Sequence, residues 1–189
     1  MLTSGVMANG AARGEGDIDS EYRIRALADS DSLDELTALL HRAYAPLGAL
    51  GLNYTAVDQD AATTRRRLDN GQGYVLLEAE VIVGAILVVP PSARASYCAW
   101  YDRPDVAILS QYAIEPRLQG RGLGSRLLRF AEERAREQGA AEATVDTAEH
   151  AAHLVRFYQA RGYREIGLEQ WQGKTYRSVL LSKSLLRLP

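Results

Sequence analysis

The sequence predicts an α+β fold of three layers, in which a mixed and mostly antiparallel sheet carries helices on both faces. Three observations support this prediction. Two apolar runs in the first half are separated only by Ala79-Glu80, which is the spacing of a β-hairpin. In the second half, apolar runs alternate with segments of helical periodicity, as in crossover connections. A closing hairpin is expected around Gly173.

The elements follow from local periodicity and from the residues that interrupt it. Alternation over Tyr22–Ala26 predicts a strand. Asp31 or Ser32 can cap a first helix, and Pro46 and Gly48 are expected to end it. The resulting order is β-α-α-β-β-β-α-β-α-β-β. The other expected elements are helices at 55–68, 122–138 and 153–161, and strands at 74–78, 81–89, 106–114, 144–146, 163–171 and 175–182.

Length and composition set the broad class of the protein. The 189 residues, of which 47% are apolar and 24% charged, suffice for one domain with a sizeable core. Residues 1–19 are rich in Gly, Ala and Ser and are expected to be a disordered leader, which leaves 20–189 as a single domain. The most apolar run, 81–91, is too short to span a bilayer. We therefore expect a cytoplasmic protein with no membrane partner.

Charge and cysteine content exclude several functions. The net charge is -2, whereas binding of nucleic acid by bulk electrostatics needs an excess of Lys and Arg. A single cysteine, Cys98, excludes an internal disulfide and a multi-cysteine metal site. His150 and His153 have the spacing of half a metal site, but no third ligand is evident and no metal is predicted. Arg65-Arg66-Arg67 is interpreted as a solvated helix face, with steering of an acidic substrate as the alternative.

A glycine-rich turn between a strand and a helix carries the chemical signal. Gly120, Gly122 and Gly124 allow a tight turn after the strand that ends at Ile114. The unpaired N–H groups of the following helix attract an anion, and arginines nearby could help to hold a diphosphate. These arginines are Arg117, Arg121 and Arg126.

Other phosphate-binding loops fit this turn less well. A nucleoside-triphosphate loop needs Gly-Lys-Ser/Thr, which is absent. The dinucleotide fingerprint is closer, since Gly120, Gly122 and Ser125 have its spacing and Asp146 lies near the expected distance beyond. Too few residues remain after Asp146 for the further β-α units of that fold. Dinucleotide binding is thus a remote alternative.

Two separated motifs resemble those of the GNAT superfamily of acyl-CoA-dependent N-acetyltransferases. The first is Gln119-x-x-Gly122-x-Gly124 on a strand–turn–helix. The second is Tyr158-x-x-x-Gly162-Tyr163 at the end of a helix. With the element order, the resemblance spans about residues 22–185, and it implies that 20–189 is a single N-acetyltransferase domain that uses acetyl-CoA as co-substrate.

The resemblance also implies roles for individual residues. Backbone groups of the strand end should line the pantetheine arm, and the turn should wrap the pyrophosphate. The residues assigned to the cofactor are Tyr112, Ala113, Ile114, Gln119, Gly120, Arg121, Gly122, Leu123, Gly124 and Ser125. One departure is visible: many members carry Asn seven residues before the motif tyrosine, where this chain has Ala151. Whether His150 or His153 replaces that contact is open.

The implied reaction is direct attack of a primary amine on the acyl-CoA carbonyl. Tyr158 matches the tyrosine that protonates the departing thiolate. Asp146 stands where some peptide N-terminus acetyltransferases carry a carboxylate, and it is the candidate base. A purely structural role for Asp146 at the strand–loop junction is the alternative, and Asp102, Asp105 or a water chain also stay open as the base.

The acceptor site is expected in the least regular segments, 44–54 and 92–105. The candidate substrate-binding residues are Tyr44, Tyr54, Trp100 and Tyr101, and Tyr97, Trp171 and Tyr176 could complete an aromatic wall. Such a wall suits a small-molecule amine, a peptide amine or a homodimer contact. A catalytically silent acyl-CoA-binding sensor that regulates a partner is the alternative function.

Overall fold

The computed structural model describes residues 21–91 and 98–186, and within them it has four α-helices and one sheet of seven strands. The strands are β1 (Tyr22–Ala26), β2 (Gln72–Glu78), β3 (Val81–Val89), β4 (Val106–Ile114), β5 (Glu142–Ala148), β6 (Arg164–Glu169) and β7 (Ser178–Ser184). The helices are α1 (Leu33–Ala49), α2 (Ala61–Leu68), α3 (Leu123–Glu137) and α4 (Ala152–Gln159). The proposed leader, 1–19, lies outside the described residues.

The predicted element order and fold class are confirmed. The strands lie in the order β1-β2-β3-β4-β5-β7-β6, and every neighbouring pair is antiparallel except β4 and β5. Residues on α3 and α4 pack against one face of the sheet, and residues on α1 and α2 pack against the other. The two hairpin-linked halves thus meet where β4 lies beside β5.

Two predicted helix boundaries were wrong. Pro46 and Gly48 do not stop α1, which continues to Ala49 and buries Leu47 in its last turn. The segment 55–68 is not one helix, because a 3-10 turn at Thr55–Val57 precedes α2. The cap residue decides where α2 begins, since the Asp60 side chain accepts a hydrogen bond from the Thr63 backbone N–H at 2.7 Å.

The sheet opens between β4 and β5. Their parallel pairing covers only Val106–Ile108 on β4, although both strands continue beyond this point. Past the last pair, β5 remains bound to β7, while the facing backbone edge of β4 has no strand partner within the described part of the sheet. A cleft follows from this divergence, and on one wall it has backbone groups of β4 without a strand partner; the Tyr112 carbonyl oxygen accepts from the Tyr44 hydroxyl there at 3.2 Å.

A β-bulge occurs on β4 at the start of the cleft. Leu87 pairs with Ser110 and Ala85 with Ala113, so Gln111 and Tyr112 lie opposite a single residue of β3. Gln111 adopts a φ of 47°, which is unusual for a residue with a side chain. The bulge therefore turns the backbone of β4 at the point where β5 leaves it.

Within the described ranges, no helix is long and apolar enough to cross a bilayer.

Candidate active site

A cavity of about 430 Å³ lies at the cleft between β4 and β5. Its walls come from nine parts of the chain: α1, the segment before α2, α2 itself, β3, the segment before β4, β4, β5, α4 and the closing hairpin. The polar and aromatic side chains that line it include those of Tyr44, Tyr54, Arg67, Tyr101, Gln111, Tyr112, Asp146, Tyr158, Trp171, Lys174 and Tyr176. Its volume suits a small polar molecule.

The glycine turn leads into α3 as predicted. Gly120 and Gly122 have φ of 76° and 82°, and no atom lies within 4 Å of where a Cβ would stand on either. Gly122 is the residue that caps α3, and no side chain caps its first turn. The first-turn N–H groups of α3 are thus available to an anion beside open space. The turn therefore offers N–H donors and space to an anionic group such as a diphosphate.

Gly124 brings the turn against the strand that precedes it. A Cβ at Gly124 would stand 2.6 Å from the Tyr112 hydroxyl oxygen, so any larger residue here would require the Tyr112 side chain to shift. Tyr112 in turn lies on the bulge and lines the cavity. The first motif is thereby linked to the cleft.

The arginines near the turn are arranged differently from the sequence expectation. Arg117 pairs with Glu78, and Arg126 donates to the Tyr22 backbone oxygen at 2.9 Å. The Arg121 guanidinium lies 5.8 Å from the centre of the Tyr22 ring. The three side chains thus all contact residues at the β1–β2 edge instead of converging on the turn.

Arg161, which sequence reasoning did not single out, contacts the first turn of α3 instead. Its Nη2 and Nε donate to the Ser125 Oγ at 2.6 and 3.0 Å. Its guanidinium lies 3.6 Å from the centre of the Phe157 ring. The motif helix and the glycine turn are thus joined by a cation at the proposed pyrophosphate site.

Tyr158 is buried at the cavity. Its side chain is 7% exposed and its ring makes edge contacts with those of Phe157 and Tyr163. Among the described residues none is hydrogen-bonded to its hydroxyl. Burial, with lesser contributions from nearby Tyr44 and Tyr112, raises the pKa of Tyr158 well above its ordinary value. The phenol therefore stays protonated and able to donate.

Asp146 is held between two donors on the cavity wall. The Tyr101 hydroxyl donates to its Oδ1 at 3.0 Å, and the Trp171 indole Nε1 donates to its Oδ2 at 3.0 Å. Each carboxylate oxygen has a second lone pair that these bonds leave unused. The carboxylate is thus fixed in orientation at the cavity, where it can bind a further N–H group.

The structure brings most of the predicted acceptor wall together. Tyr44, Tyr54 and Tyr101 line the cavity, and the Tyr54 ring contacts those of both Tyr44 and Tyr176, with centroids 5.6 and 5.0 Å apart. The Tyr54 hydroxyl accepts from the Ala148 backbone N–H at 2.7 Å, which ties the wall to the end of β5. Trp171 also belongs to it.

Trp100 lies elsewhere. It is absent from the described cavity lining; its Nε1 donates to the Thr144 Oγ1 at 3.1 Å, and the Arg103 guanidinium covers its ring at 4.3 Å. Trp100 thus makes its hydrogen bond with Thr144 and its cation–π contact with Arg103 outside the described cavity lining. Tyr97, also suggested for the wall, falls outside the described residues.

The histidines beside the departure from the family pattern do not converge. Ala151 is fully buried, whereas His150 and His153 are exposed. Across 21–91 and 98–186 no group of three or more His, Cys, Asp or Glu side chains has the arrangement of a metal site. No replacement for the Asn contact is evident from these positions.

Two cations at the cavity were missed by sequence reasoning. Arg67 lines the cavity, in contrast with exposed Arg65 and Arg66 of the same run, and its Nη1 donates to the Gln59 Oε1 at 2.9 Å. Lys174 lies in the closing hairpin, and its Nζ donates to the Asn53 backbone oxygen and to the Thr55 Oγ1. The run Arg65-Arg66-Arg67 was a weak sequence signal for Arg67. No local sequence feature identifies Lys174 as a cavity residue.

Comparison with known proteins agrees with this geometry. Residues 34–163 match the model of the acetyltransferase (GNAT) family. The chain is 28% identical over 169 residues to S-(2-succino)cysteine N-acetyltransferase of Bacillus subtilis (strain 168), a match that covers 87% of this chain and 95% of that relative.

Solved structures show the same fold. A GNAT family acetyltransferase from Elizabethkingia anophelis with acetyl-CoA bound has a TM-score of 0.63 at 14% identity, covering 87% of this chain and 98% of that one. A Bacillus subtilis acetyltransferase in complex with CoA has a TM-score of 0.63 at 20% identity, covering 87% and 99%. With the family model matched over more than half of its length, the chain belongs to the GNAT family of acetyltransferases.

Proposed function

We propose that the protein transfers the acetyl group of acetyl-CoA to the primary amine of a small acceptor. The observation that carries this proposal is the convergence of Tyr158 and Asp146 on one cavity at the β4–β5 cleft. A protonated phenol and a fixed carboxylate are the two groups that amide formation from a thioester requires.

The chain's own residues can manage the protons of this reaction. The incoming amine donates an N–H to the open lone pairs of Asp146, which orients its nitrogen and accepts the proton that it loses. A C–N bond forms as the C–S bond of the thioester breaks. Tyr158 then gives its phenolic proton to the departing thiolate. Solvent exchange returns the proton from Asp146 to the tyrosine, so the enzyme ends unchanged.

Backbone groups complete the proposed machinery. Past Ile108 the edge of β4 that faces β5 has no strand partner among the described residues, and backbone N–H groups near the bulge at Gln111 and Tyr112 are the proposed donors to the thioester carbonyl oxygen. Acetyl-CoA supplies the activated acyl group, while Gly120–Ser125 and Arg161 hold its phosphates through first-turn N–H groups and a guanidinium.

The name of a relative and the size of the cavity indicate which acceptor to test. S-(2-succino)cysteine is the first amine to assay, because a relative that matches along most of this chain is named for it. A cavity of about 430 Å³ fits a free amino acid better than a folded protein surface. The proposed acceptor is therefore a small-molecule amine.

The test is thiol release from acetyl-CoA with S-(2-succino)cysteine and with a panel of other amino acids, polyamines, aminoglycosides and short peptides. We expect release above background with a subset of the small amines, and a product whose mass is increased by one acetyl group. Thermal stabilisation by acetyl-CoA accompanied by no thiol release from any amine would contradict the proposal and favour the sensor function. Stabilisation by NAD but not by acetyl-CoA would also contradict the assignment of acetyl-CoA as the co-substrate.

A further inference from the structure

The charged side chains of the cavity are unevenly distributed. Among the described lining residues, the cations are Arg67 and Lys174, and the anion is Asp146. Asp146 is already bound by Tyr101 and Trp171. An acceptor that offered only an ammonium group would meet one anion and two cations, so part of the lining favours a negative group on the acceptor.

Arg67 is positioned by a buried polar network. Gln59, which is 5% exposed, accepts from the Arg67 Nη1 and donates from its Nε2 to Gln111 Oε1 at 3.1 Å. Gln111 lies on the β4 bulge, and its side-chain Nε2 finds no acceptor among the described residues. The network therefore fixes the Arg67 guanidinium relative to β4. The Gln111 Nε2 remains as a further N–H donor in this network.

Lys174 is held at the cavity at an electrostatic cost. Two of its three N–H groups donate to Asn53 and Thr55 in the segment opposite the hairpin. Burial lowers the pKa of Lys174, and the positive charge of Arg67 lowers it further, while Asp58 and Asp146 act in the opposite direction. A pair of partly buried like charges is stabilised when an anion binds between or beside them.

Two tyrosines of the wall share the cavity with these charges. Burial raises the pKa of Tyr44 and of Tyr176, and among the charged residues Arg67 lowers it whereas Asp146 raises it. Arg67, Lys174 and Asp146 thus line the same cavity as these two rings. A small molecule that contacts these rings can present an amine to Asp146 and a negative group to Arg67 and Lys174.

We propose that Arg67 and Lys174 form a carboxylate-binding subsite that makes the enzyme selective for amines that carry one or more free carboxylates, as amino acids do. This inference rests on the proposed function, since it assigns specificity to the same cavity. Arg67 provides a planar fork that matches a carboxylate, and Lys174 provides a point charge. Both are specificity residues, and neither takes part in the bond-making step.

The experiment uses one acceptor skeleton with and without carboxylates. S-Carboxymethyl-L-cysteine and its bis-amide carry the same amine and have nearly the same shape. We expect the wild-type protein to show a kcat/KM at least about 10-fold higher for the acid, because hydrogen bonds to charged groups are worth this much or more. Arg67→Gln and Lys174→Gln should each lower kcat/KM for the acid by roughly 10- to 100-fold and lower that for the amide much less, so that the preference for the acid is lost.

Arg65→Gln is the matched control. It makes the same charge change two positions away on α2, at an exposed site outside the described cavity lining, and should leave both values unchanged. Affinity for acetyl-CoA is measured for each variant to show that it is folded. Lys174→Gln, on a separate element, keeps the inference testable when the Arg67 variant is unstable.

The possible failures are distinguishable. Equal kcat/KM for acid and amide in the wild-type protein, or equal losses in Arg65→Gln and Arg67→Gln, would overturn the subsite and leave the acetyltransferase proposal intact. Thiol release from no amine contradicts the proposed function. The subsite is then judged by calorimetry with CoA-loaded protein, where millimolar acid that fails to bind, or binds no better than the amide, overturns it.

Discussion

The two halves of the candidate site are built in different ways. The half assigned to acetyl-CoA consists of backbone N–H groups and glycines in one contiguous segment, from the β4 bulge to the first turn of α3. The acceptor half consists of side chains from α1, α2, β5 and the closing hairpin, held by hydrogen bonds between residues as distant as Trp171 and Asp146.

This difference distinguishes the part of the site that many enzymes can share from the part that is specific to one acceptor. Backbone donors bind a phosphate whatever side chains surround them, so a turn of this kind can be shared by enzymes with unrelated acceptors. A cavity formed by side chains can be changed one residue at a time without moving the sheet. We therefore expect substitutions in the two halves to affect different measured quantities.

Tyr158→Phe should give the largest effect and should separate chemistry from cofactor binding. Removing the phenolic proton should lower kcat by about 10²- to 10⁴-fold. The ring contacts with Phe157 and Tyr163 remain, so the Kd of acetyl-CoA should be unchanged. Steady-state kinetics and calorimetry test this. An unchanged kcat with every accepted amine would show that Tyr158 only fills the core.

Asp146→Asn should act on the acceptor half alone. The amide keeps the size of the carboxylate but loses its charge and cannot accept a proton, so kcat/KM for the amine should fall by about 10²-fold. Asp105→Asn is the control, because Asp105 is bound by Arg103 and is not among the described lining residues. A large loss with Asp105→Asn and a small one with Asp146→Asn would reverse the assignment of the base.

Gly122→Ala and Gly139→Ala should test whether the glycine turn belongs to the acetyl-CoA half of the site. Both glycines have left-handed φ, 82° and 89°, with open space where a Cβ would stand, at opposite ends of α3. Each change should cost about 1–2 kcal/mol of unfolding free energy because of backbone strain. Only Gly122→Ala should also weaken acetyl-CoA binding, by about 10-fold. Equal affinities in the two variants would remove the turn from the cofactor site.

The pH dependence of Lys174 should give the smallest effect. Its pKa is lowered in the folded protein, so it loses its proton at a lower pH than in the unfolded chain. As the pH rises through this lowered pKa, the unfavourable buried charge is relieved and the contribution to folding stability increases. Over the same interval the affinity for a carboxylate acceptor should fall.

The measurement is the ratio of KM for the acid and amide acceptors at increasing alkaline pH, with each KM corrected for the titration of that acceptor's own amine. The ratio should rise a few-fold toward high pH in the wild-type protein. Lys174→Arg should abolish this rise, because arginine stays charged. A rise of the same size in that variant would assign the pH dependence to another group.

Local sequence predicted the fold well for identifiable reasons. Alternation, helical spacing and the two-residue link Ala79-Glu80 are contiguous signals, and they yielded the element order. Boundaries failed where a longer-range contact decided them. Pro46 was expected to end α1, but the packing of Leu47 in the core continues the helix through the proline.

The candidate site was predicted only in part. The glycine turn and Tyr158 were recognised because each belongs to a short motif in one segment. Arg67 was not separated from Arg65 and Arg66, since the orientation of α2 decides which of the three contacts the cavity. Trp100 was expected at the wall for its residue type, yet its indole N–H is used by Thr144.

Contiguous signals along the chain sufficed to predict the order of the strands and helices, the glycines of the turn and the motif tyrosine. These depend on backbone preferences and periodicity that neighbouring residues set. The folded structure was needed to show that Tyr101 and Trp171 fix Asp146, and that Arg67 and Lys174 line the same cavity. The partners of a buried charge come from distant parts of the chain, and its energy depends on all of them together.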